Sequence, residues 1–330
     1  MNANAATSAR AEVLEELRSR DKFLLTTHER PDGDAVGSLA AMQRVLTALG
    51  KDALAFLAAD EFPLPYEYRF IEVERLVTEP PADLDERVLI FLDCGNIDRT
   101  PADEIKRDGA HIVNIDHHHD NTRFGTINHV EPKSSCTAEM VWDLMNGLGV
   151  EATREIGEAL YVGLVTDTGR FMYENTGARA HRMAAELMEG GVDGHAIYKR
   201  LYEGIPQGKL ELLARGLCNV ERFDGGRLTL THLTREDYQS TGADESYSEG
   251  VVDHLRSVEG TAVAGLVRDQ LSNGGFKRKV SLRSTDDRVD VSRIARAGGG
   301  GGHRRAAGFS TDLEFPELVE FLRGALAEQL

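Results

Sequence analysis

The sequence predicts an α/β protein of two domains: an N-terminal parallel sheet with helices on both faces, linked to a smaller C-terminal α/β domain. Three observations support this fold class. Short apolar runs alternate with helix-like segments in the first half of the chain, which is typical of a parallel sheet with both faces covered. Beyond residue 205 the pattern changes to paired strands around glycine-rich turns. The length of 330 residues gives each domain enough chain for its own core.

The N-terminal domain is predicted from hydrophobic periodicity. Short apolar runs fit buried strands, and longer stretches with a period near 3.6 fit helices. Strands are expected at residues 22–27, 87–92 and 110–115, and helices at residues 34–49, 135–146 and 154–165.

Two predicted β-hairpins characterise the second half of the chain. One pairs residues 220–223 with 227–233, and the other pairs residues 262–270 with 276–283. We therefore expect the N-terminal domain at residues 1–190, a linker at 191–210 and the C-terminal domain at 211–330.

Acids and histidines follow several of these apolar runs. Asp93 closes a run of valine, leucine, isoleucine and phenylalanine, and a carboxylate at such a position must be exposed or paired, because burying it alone is costly. Asp116 repeats the pattern. Carboxylates with a few imidazoles and no thiolate suit hard or borderline divalent ions. An ordinary aspartate-rich turn is the alternative for Asp32 and Asp34. The acids and histidines that follow these runs include His28, Asp32, Asp34, Asp93, Asp116, His117, His118, His119 and Asp167.

Several motifs give the chain a family resemblance. Asp116-His117-His118 is the signature of the DHH phosphoesterases, and the glycine run at 298–302 with His303 is similar to the motif of their DHH-associated domain. Residues 280–284 resemble the strand that precedes this motif. The chain therefore resembles the DHH family over nearly its whole length, and within it the bacterial bifunctional oligoribonucleases, or nanoRNases.

The resemblance implies two metal ions and a role for each ligand. One ion would be held by His28, Asp32 and Asp93, and the other by Asp34, Asp93, His117 and Asp167, so that Asp93 bridges them. His118 would contact the substrate phosphate, with Asp116 orienting a neighbouring histidine. Arg170 fits the family's last motif as a phosphate contact, although a pairing with a nearby acid is almost equally expected. We expect manganese, with magnesium or cobalt as alternatives.

The second domain is expected to bind the substrate. Glycines without side chains let backbone amides approach a phosphate, and an adjoining helix N-terminus would add its dipole. A flexible linker is the alternative reading of such a run. Substrate contacts are expected from Arg283, Gly300, Gly301, Gly302 and His303. No role is assigned to His119, Arg304 or Arg305.

The resemblance implies hydrolysis of very short RNA to 5′-mononucleotides, and removal of the 3′-phosphate of adenosine 3′,5′-bisphosphate, in a cleft between the two domains. The alternatives are a phosphodiesterase for cyclic or linear dinucleotides and a non-catalytic nucleotide or RNA sensor. A family II pyrophosphatase would lack the glycine-rich motif, and a RecJ-like exonuclease would be longer and less acidic.

Composition restricts the partners. The formal net charge of −17 argues against binding long duplex nucleic acid, which requires many phosphate contacts from lysine and arginine. No apolar run approaches the length of a membrane span, and no export signal is visible at the N-terminus. We therefore expect a cytoplasmic protein whose partners are short RNA, dinucleotides or a nucleoside bisphosphate. A homodimer is a further alternative.

Overall fold

The computed structural model describes residues 3–100, 103–106, 109–271, 275–302 and 304–330. The chain forms two compact units that divide between Glu203 and Gly204. Within the described residues, no helix combines the length and the apolar character that a membrane crossing requires.

The N-terminal unit contains the predicted strands and helices, but they alternate only at its start. Its strands are β1 (Lys22–Thr26), β2 (Asp52–Phe56), β3 (Leu76–Val77), β4 (Val88–Leu92), β5 (Ile112–Asp116) and β6 (Ile127–Val130). Its helices are α1 (Ala3–Ser19), α2 (Gly33–Ala48), α3 (Thr137–Leu148), α4 (Arg154–Asp167), α5 (Ala178–Glu189) and α6 (Gly194–Tyr202). After α2, five strands follow one another before α3 begins.

All neighbouring strands of this sheet are parallel, in the order β3-β2-β1-β4-β5-β6. The chain moves from β1 towards one edge and from β4 towards the other, so the direction of winding reverses between β1 and β4. In open α/β sheets, ligands bind beyond the carboxyl ends of the strands at this reversal. The prediction of a parallel-sheet α/β domain is confirmed.

Side chains alternate between two cores of unequal size. Phe23, Leu25 and Ile90 face a large core that the α-helices cover. Leu24 and Phe91 face a smaller core, over which the chain forms short 3-10 helices such as Leu84–Glu86. Because both faces are buried, β4 consists entirely of apolar residues, and β5 has polar side chains only at Asn114 and Asp116.

Glycines let α2 and α4 approach closely. A Cβ atom on Gly37 would lie 2.4 Å from the Ala159 carbonyl oxygen, and one on Gly163 would lie 2.8 Å from Oδ1 of Asp34. Gly33 similarly faces Thr166. These contacts make the two helices antiparallel, so the start of α2 lies beside the end of α4.

The C-terminal unit contains a mixed sheet. Its strands are β7 (Glu221–Phe223), β8 (Leu228–Leu233), β9 (Val263–Asp269), β10 (Arg278–Ser284), β11 (Gly301–Gly302) and β12 (Ala306–Thr311). Its helices are α7 (Gln207–Cys218), α8 (Arg235–Thr241), α9 (Val251–Arg256), α10 (Val291–Ala297) and α11 (Phe315–Ala327). The order is β11-β12-β10-β9-β8-β7, with β8 and β9 parallel and the other pairs antiparallel. Both predicted hairpins, β7–β8 and β9–β10, are present; residues 272–274 of the second turn lie outside the described residues.

The glycine run connects α10 to β12. Gly298 follows the last residue of α10, and Gly301 and Gly302 pair with β12. The expectation of a helix N-terminus at this run is therefore wrong, because the neighbouring helix ends there and the chain continues as a strand. The run contains glycine partly for packing: a Cβ on Gly300 would lie 2.1 Å from the Gly308 carbonyl oxygen, and Gly299 has a φ of +83°.

We predict that Gly37→Ala destabilises the protein by about 1 to 3 kcal/mol, because the new methyl group overlaps the backbone of α4. Alanine has the better helix propensity, by roughly 1 kcal/mol, and this gain is too small to offset the overlap. Gly324→Ala is the matched control, because nothing lies within 4 Å of a Cβ at this position of α11, so it should be neutral or stabilising. Urea unfolding followed by circular dichroism measures both, and an unchanged midpoint for Gly37→Ala would contradict the close approach.

Candidate metal centre

The candidate ligands meet at the carboxyl edge of the N-terminal sheet. His28 lies just beyond β1, Asp93 directly follows β4, and Asp116 is the last residue of β5. The antiparallel contact of α2 and α4 adds two more acids, since Asp34 lies in the first turn of α2 and Asp167 is the last residue of α4.

Three overlapping sets of side chains have ligand atoms within 4.8 Å of one another. The sets are His28, Asp32 and Asp93; Asp34, His117 and Asp167; and Asp93, His117 and His118. The six ligands predicted from the sequence all belong to these sets. Asp93 and His117 each belong to two sets, so the groups form one continuous cluster.

Asp93 lies at the centre of this cluster. Its side chain is 2% exposed, and its Oδ1 accepts a hydrogen bond from the Thr137 hydroxyl at 3.0 Å. Its Oδ2 lies 3.6 Å from Nε2 of His28, while Oδ1 lies 3.6 Å from Nε2 of His117. The backbone of Asp93 has a φ of +57°, a conformation that costs free energy for a residue other than glycine. The turn after β4 thus holds this carboxylate between the two histidines.

Asp34 is oriented by the start of α3. Its Oδ2 accepts a hydrogen bond from the Thr137 amide at 2.6 Å, and its Oδ1 accepts from the Ala138 amide at 2.9 Å and from the Ser38 hydroxyl at 3.2 Å. These donors are neutral, so they fix the carboxylate without cancelling its charge.

Each of the two ligand histidines has one ring nitrogen directed at the acids. Nδ1 of His28 lies 2.7 Å from the Glu29 carbonyl oxygen, and because a carbonyl can only accept, Nδ1 donates and Nε2 is left as the ligand atom. Nε2 of His117 lies 3.6 Å from Oδ2 of Asp167 as well as from Asp93. Burial, together with the charge of Arg99, lowers the pKa of His28 to about 4. Burial and His118 lower the pKa of His117 to about 4, so both are neutral at neutral pH, as metal ligation requires.

His118 is supported from behind by Asp116. Nδ1 of His118 lies 2.6 Å from Oδ1 of Asp116, whose Oδ2 accepts a hydrogen bond from Nδ2 of Asn121 at 2.5 Å. Burial lowers the pKa of His118, but the charge and hydrogen bond of Asp116 outweigh it, so the pKa is raised. Nε2 of His118 thus becomes available as a donor.

Three acids of the cluster, the buried Asp34 and Asp93 and the partly exposed Asp167, form no ion pair with a lysine or an arginine among the described residues. Burial and then Asp32 raise the pKa of Asp34 to about 7. Burial and the charge of Asp34 also raise the pKa of Asp93 and that of Asp167 well above the usual range. Carboxylates that repel one another at such short range favour a bound cation, and oxygen and imidazole donors match manganese or magnesium better than a soft ion. The residues therefore fit a divalent metal centre.

Arg170, the predicted phosphate contact, and His119, to which no role is assigned, lie outside the ligand sets. The guanidinium of Arg170 lies over the Tyr202 ring, 5.1 Å from its centroid, and not in the ligand sets. His119 is exposed. Arg170 lies within a left-handed turn, in which Gly169, Arg170 and Phe171 all have φ between +54° and +65°.

Two of the predicted substrate residues of the C-terminal unit, Arg283 and Gly301, lie on the same face of its sheet. Arg283 pairs with Ala306, Ser281 pairs with Gly308, and Gly301 also pairs with Gly308. Directly paired residues point to the same face of a sheet, so Arg283 borders a face lined by small residues. Nε of Arg283 lies 3.7 Å from Oδ1 of Asp253.

The glycines of the run differ in how closely they pack, and the two arginines after it contact Asp287. Gly300 and Gly302 pack closely on β12, whereas no atom lies within 4 Å of a Cβ on Gly301. Arg304 donates to the Asp287 carbonyl, and Arg305 pairs with the Asp287 carboxylate. His303 lies outside the described residues.

Sequence reasoning missed the neutral donors that orient the acids. Besides Thr137 and Asn121, Nδ2 of Asn175 donates to Oδ2 of Asp167 at 3.2 Å and to the Ser135 carbonyl at 2.7 Å. Asparagines in polar turns shortly after a ligand are the available sequence signal, but it is weak, because such residues are common in turns generally.

Comparison with protein families identifies both units. Residues 22–164 match the family model of the DHH family, N-terminal domain, and residues 233–328 match the DHHA1 domain. The chain is 35% identical, over 97% of its length, to the bifunctional oligoribonuclease and PAP phosphatase NrnA of Thermus thermophilus, of which it covers 93%.

Solved structures share the fold. The chain superposes on an exopolyphosphatase-related protein from Bacteroides fragilis with a TM-score of 0.86 and 24% identity, covering 98% of this chain and 96% of that one. RecJ from Thermus thermophilus, solved in complex with Mn²⁺, gives a TM-score of 0.53 at 15% identity and covers 98% of this chain but 54% of RecJ.

We predict that the metal-free protein loses stability as the pH rises from about 6.5 to 8. Folding raises the pKa of Asp34, Asp93 and Asp167, so the folded state keeps protons that the unfolded chain has already released. Below about pH 6.5 the unfolded chain protonates His28 and His117, which folding keeps neutral, and this opposes the trend. The expected loss is about 1 to 2 kcal/mol, since one pKa unit corresponds to roughly 1.4 kcal/mol.

Urea unfolding of chelator-treated protein at the two pH values measures this loss. Asp93→Asn is the matched control, because it keeps the shape of the side chain and removes one of the repelling charges; its stability should decline less. Metal-free wild type that is equally stable at both pH values would contradict the uncompensated cluster.

Proposed function

This chain belongs to the DHH family of phosphoesterases, and from that premise we propose that it hydrolyses very short RNA to 5′-mononucleotides and removes the 3′-phosphate of adenosine 3′,5′-bisphosphate. The observation that carries the proposal is the continuous cluster of carboxylates and imidazoles at the carboxyl edge of the sheet. Its similarity to NrnA of Thermus thermophilus, a bifunctional oligoribonuclease and PAP phosphatase, over 97% of the chain supports the choice of substrates.

The proposed cofactor is a pair of divalent ions, with manganese preferred. His28, Asp32 and Asp93 would hold one ion, and Asp34, Asp93, His117 and Asp167 the other. When bound, such ions supply Lewis-acid activation of the attacking water and of the phosphoryl oxygen. RecJ, which shares the fold, is known with Mn²⁺ bound, and the oxygen-rich donor set is compatible with that choice.

The protein groups around the cluster would then handle charge and orientation. His118, whose Nδ1 faces Asp116, would donate from Nε2 to a phosphate oxygen and stabilise the charge that develops at phosphorus. Water attacks phosphorus, the bond to the 3′-oxygen breaks, and that oxygen takes up a proton. On a dinucleotide this releases a 5′-mononucleotide, and on the bisphosphate it releases phosphate and AMP. One site would therefore serve both substrates.

The C-terminal unit would hold the nucleotide. The face that carries Arg283 has only small partners on β12 and β11, namely Ala306, Gly308 and Gly301, and this leaves space for a base or a phosphate beside a guanidinium. We also predict that His303 and Arg170 contact the same substrate.

The proposal is tested by assaying the purified chain with manganese on a diribonucleotide and on adenosine 3′,5′-bisphosphate. Release of mononucleotide and of phosphate is expected. Turnover of cyclic di-AMP in preference to both would favour the dinucleotide phosphodiesterase, and no turnover of any of them would refute the assignment.

We predict that Asp93→Ala abolishes turnover of every substrate and lowers the manganese content, because both ion sites lose a ligand. The rate should fall by more than the roughly 100-fold that is typical when a hydrogen-bond partner behind a ligand is removed. Asp98→Ala is the matched control, since Asp98 is an exposed acid in the loop that follows β4, and its rate should stay normal. Steady-state kinetics and metal analysis measure both effects.

His28→Ala refines this test, because His28 belongs to a single ligand set. The variant should bind one ion more weakly and recover part of its rate in excess manganese. A wild-type metal requirement in His28→Ala, or a near-normal rate in Asp93→Ala, would refute the two-ion arrangement.

We predict that Arg283→Ala lowers kcat/KM for dinucleotides by a factor that corresponds to about 1.5 to 3 kcal/mol of transition-state stabilisation, the free energy of a lost charged hydrogen bond. Hydrolysis of bis(p-nitrophenyl) phosphate should change less, because this ester offers little for the C-terminal unit to bind. Arg288→Ala is the control, as Arg288 is exposed and pairs with Asp286. Equal losses on both esters would show that Arg283 acts through folding and not through nucleotide binding.

A further inference from the structure

The loop after β4 is fastened to both histidine-bearing segments of the candidate metal centre. The Cys94 carbonyl accepts a hydrogen bond from Nδ2 of Asn121 at 3.2 Å, and the Gly95 carbonyl accepts from the Thr122 amide at 2.9 Å. At its other end, the Arg99 carbonyl accepts from the Glu29 amide at 2.6 Å. The loop therefore extends from the residues that follow His118 to the residue that follows His28.

Within this loop the chain passes directly beside His118. A Cβ atom on Gly95 would lie 3.5 Å from the Cβ of His118 and 3.7 Å from Oδ2 of Asp116. The loop then turns through the short 3-10 helix Ile97–Arg99, which Asn96 caps by accepting the Asp98 amide. Arg99 is the last residue of this helix, so its position is set by hydrogen bonds at both ends of the loop.

The Arg99 side chain is partly buried, and among the described residues it forms no ion pair. Most other arginines of this unit have partners: Arg87 pairs with Asp52 and Asp83, and Arg170 lies over Tyr202. The charge of Arg99 reaches the cluster, where it contributes to the lowered pKa of His28 and opposes the raised pKa of His118. The backbone of Arg99 is hydrogen-bonded to Glu29, the neighbour of His28, so a guanidinium without an ion pair among the described residues is carried at the edge of the cluster.

We propose that Arg99 is a catalytic residue that binds the non-bridging oxygens of the scissile phosphate together with His118. A guanidinium presents a planar pair of donors that matches two phosphate oxygens. The inference rests on the proposed phosphoesterase function and assigns a residue to it that lies outside the ligand sets and the sequence motifs.

The competing role for Arg99 is a counter-ion for Asp32, whose pKa it helps to lower. The two roles differ in what they do to the metal centre. A counter-ion changes metal affinity when it is removed, whereas a phosphate ligand leaves the metal content unchanged and weakens anion binding.

The test compares Arg99→Ala and Arg99→Lys in the full chain. Arg154→Ala is the matched control, because Arg154 is an exposed arginine at the start of α4 that pairs with Glu158, roughly 20 Å along the helix from Asp167. In Arg99→Ala, kcat/KM should fall about 10- to 100-fold on both a dinucleotide and bis(p-nitrophenyl) phosphate, since both carry the scissile phosphate. Lysine should restore part of the rate, because it keeps the charge but not the paired donors.

Two measurements that do not depend on turnover complete the test. Manganese content should equal that of wild type, and titration calorimetry of the manganese-loaded protein with inorganic phosphate should show affinity that falls about tenfold or more in Arg99→Ala. An unchanged rate in an active enzyme would overturn the proposal, and a change in manganese content would assign Arg99 the counter-ion role instead. If wild type turns over none of the esters, the proposed function fails, and equal phosphate affinity of wild type and Arg99→Ala would then overturn the inference as well.

Discussion

Electrostatic repulsion among buried carboxylates is the constraint on which the N-terminal unit depends. Asp34 and Asp93 are each 2% exposed, and with Asp167 they share one cluster of potential ligands. Each is oriented by neutral donors: backbone amides and a serine for Asp34, the Thr137 hydroxyl for Asp93, and the Asn175 amide for Asp167. Neutral donors hold a carboxylate in place while leaving its charge available, so the fold maintains a site whose residues fit a divalent cation.

The surrounding architecture offsets the cost of this arrangement. The strands β1, β4 and β5 are parallel neighbours, so their carboxyl ends lie at the same edge of the sheet, and the residues that end or follow them lie close together. Glycines at the crossing of α2 and α4 bring Asp34 close to Asp167, and a large apolar core supports both helices. The positive φ of Asp93 is maintained because the strand before it is fully buried and cannot shift. Strain and repulsion are thereby confined to the site, while the stabilising burial lies behind it.

In the C-terminal unit, helices cover one face of the sheet and only part of the other. Its sheet is covered on one face by α10 and α11, and on the other by α7, α8 and α9 where β8 and β9 lie. Beyond β9, that second face carries Ser281, Arg283, Gly301 and Gly308. Under the proposed function, this surface would hold the nucleotide, while the acidic centre of the first unit would supply the chemistry.

The sequence alone determined the fold class, the two hairpins, the family and the residue types of the candidate metal centre, because apolar periodicity and strand ends are local properties of the chain. It did not reveal β2, β3 or β6, or that the helix beside the glycine run ends there, which depends on how β11 pairs with β12. Nor did it reveal that Thr137 orients Asp93 and Asp34, which lie 44 and 103 positions before it in the chain. The hydrogen bond between the backbones of Arg99 and Glu29, next to His28, likewise joins two separate loops. Only the tertiary structure decided them, because a hydrogen bond between distant segments depends on the packing of the elements that carry them and leaves no periodic pattern in either.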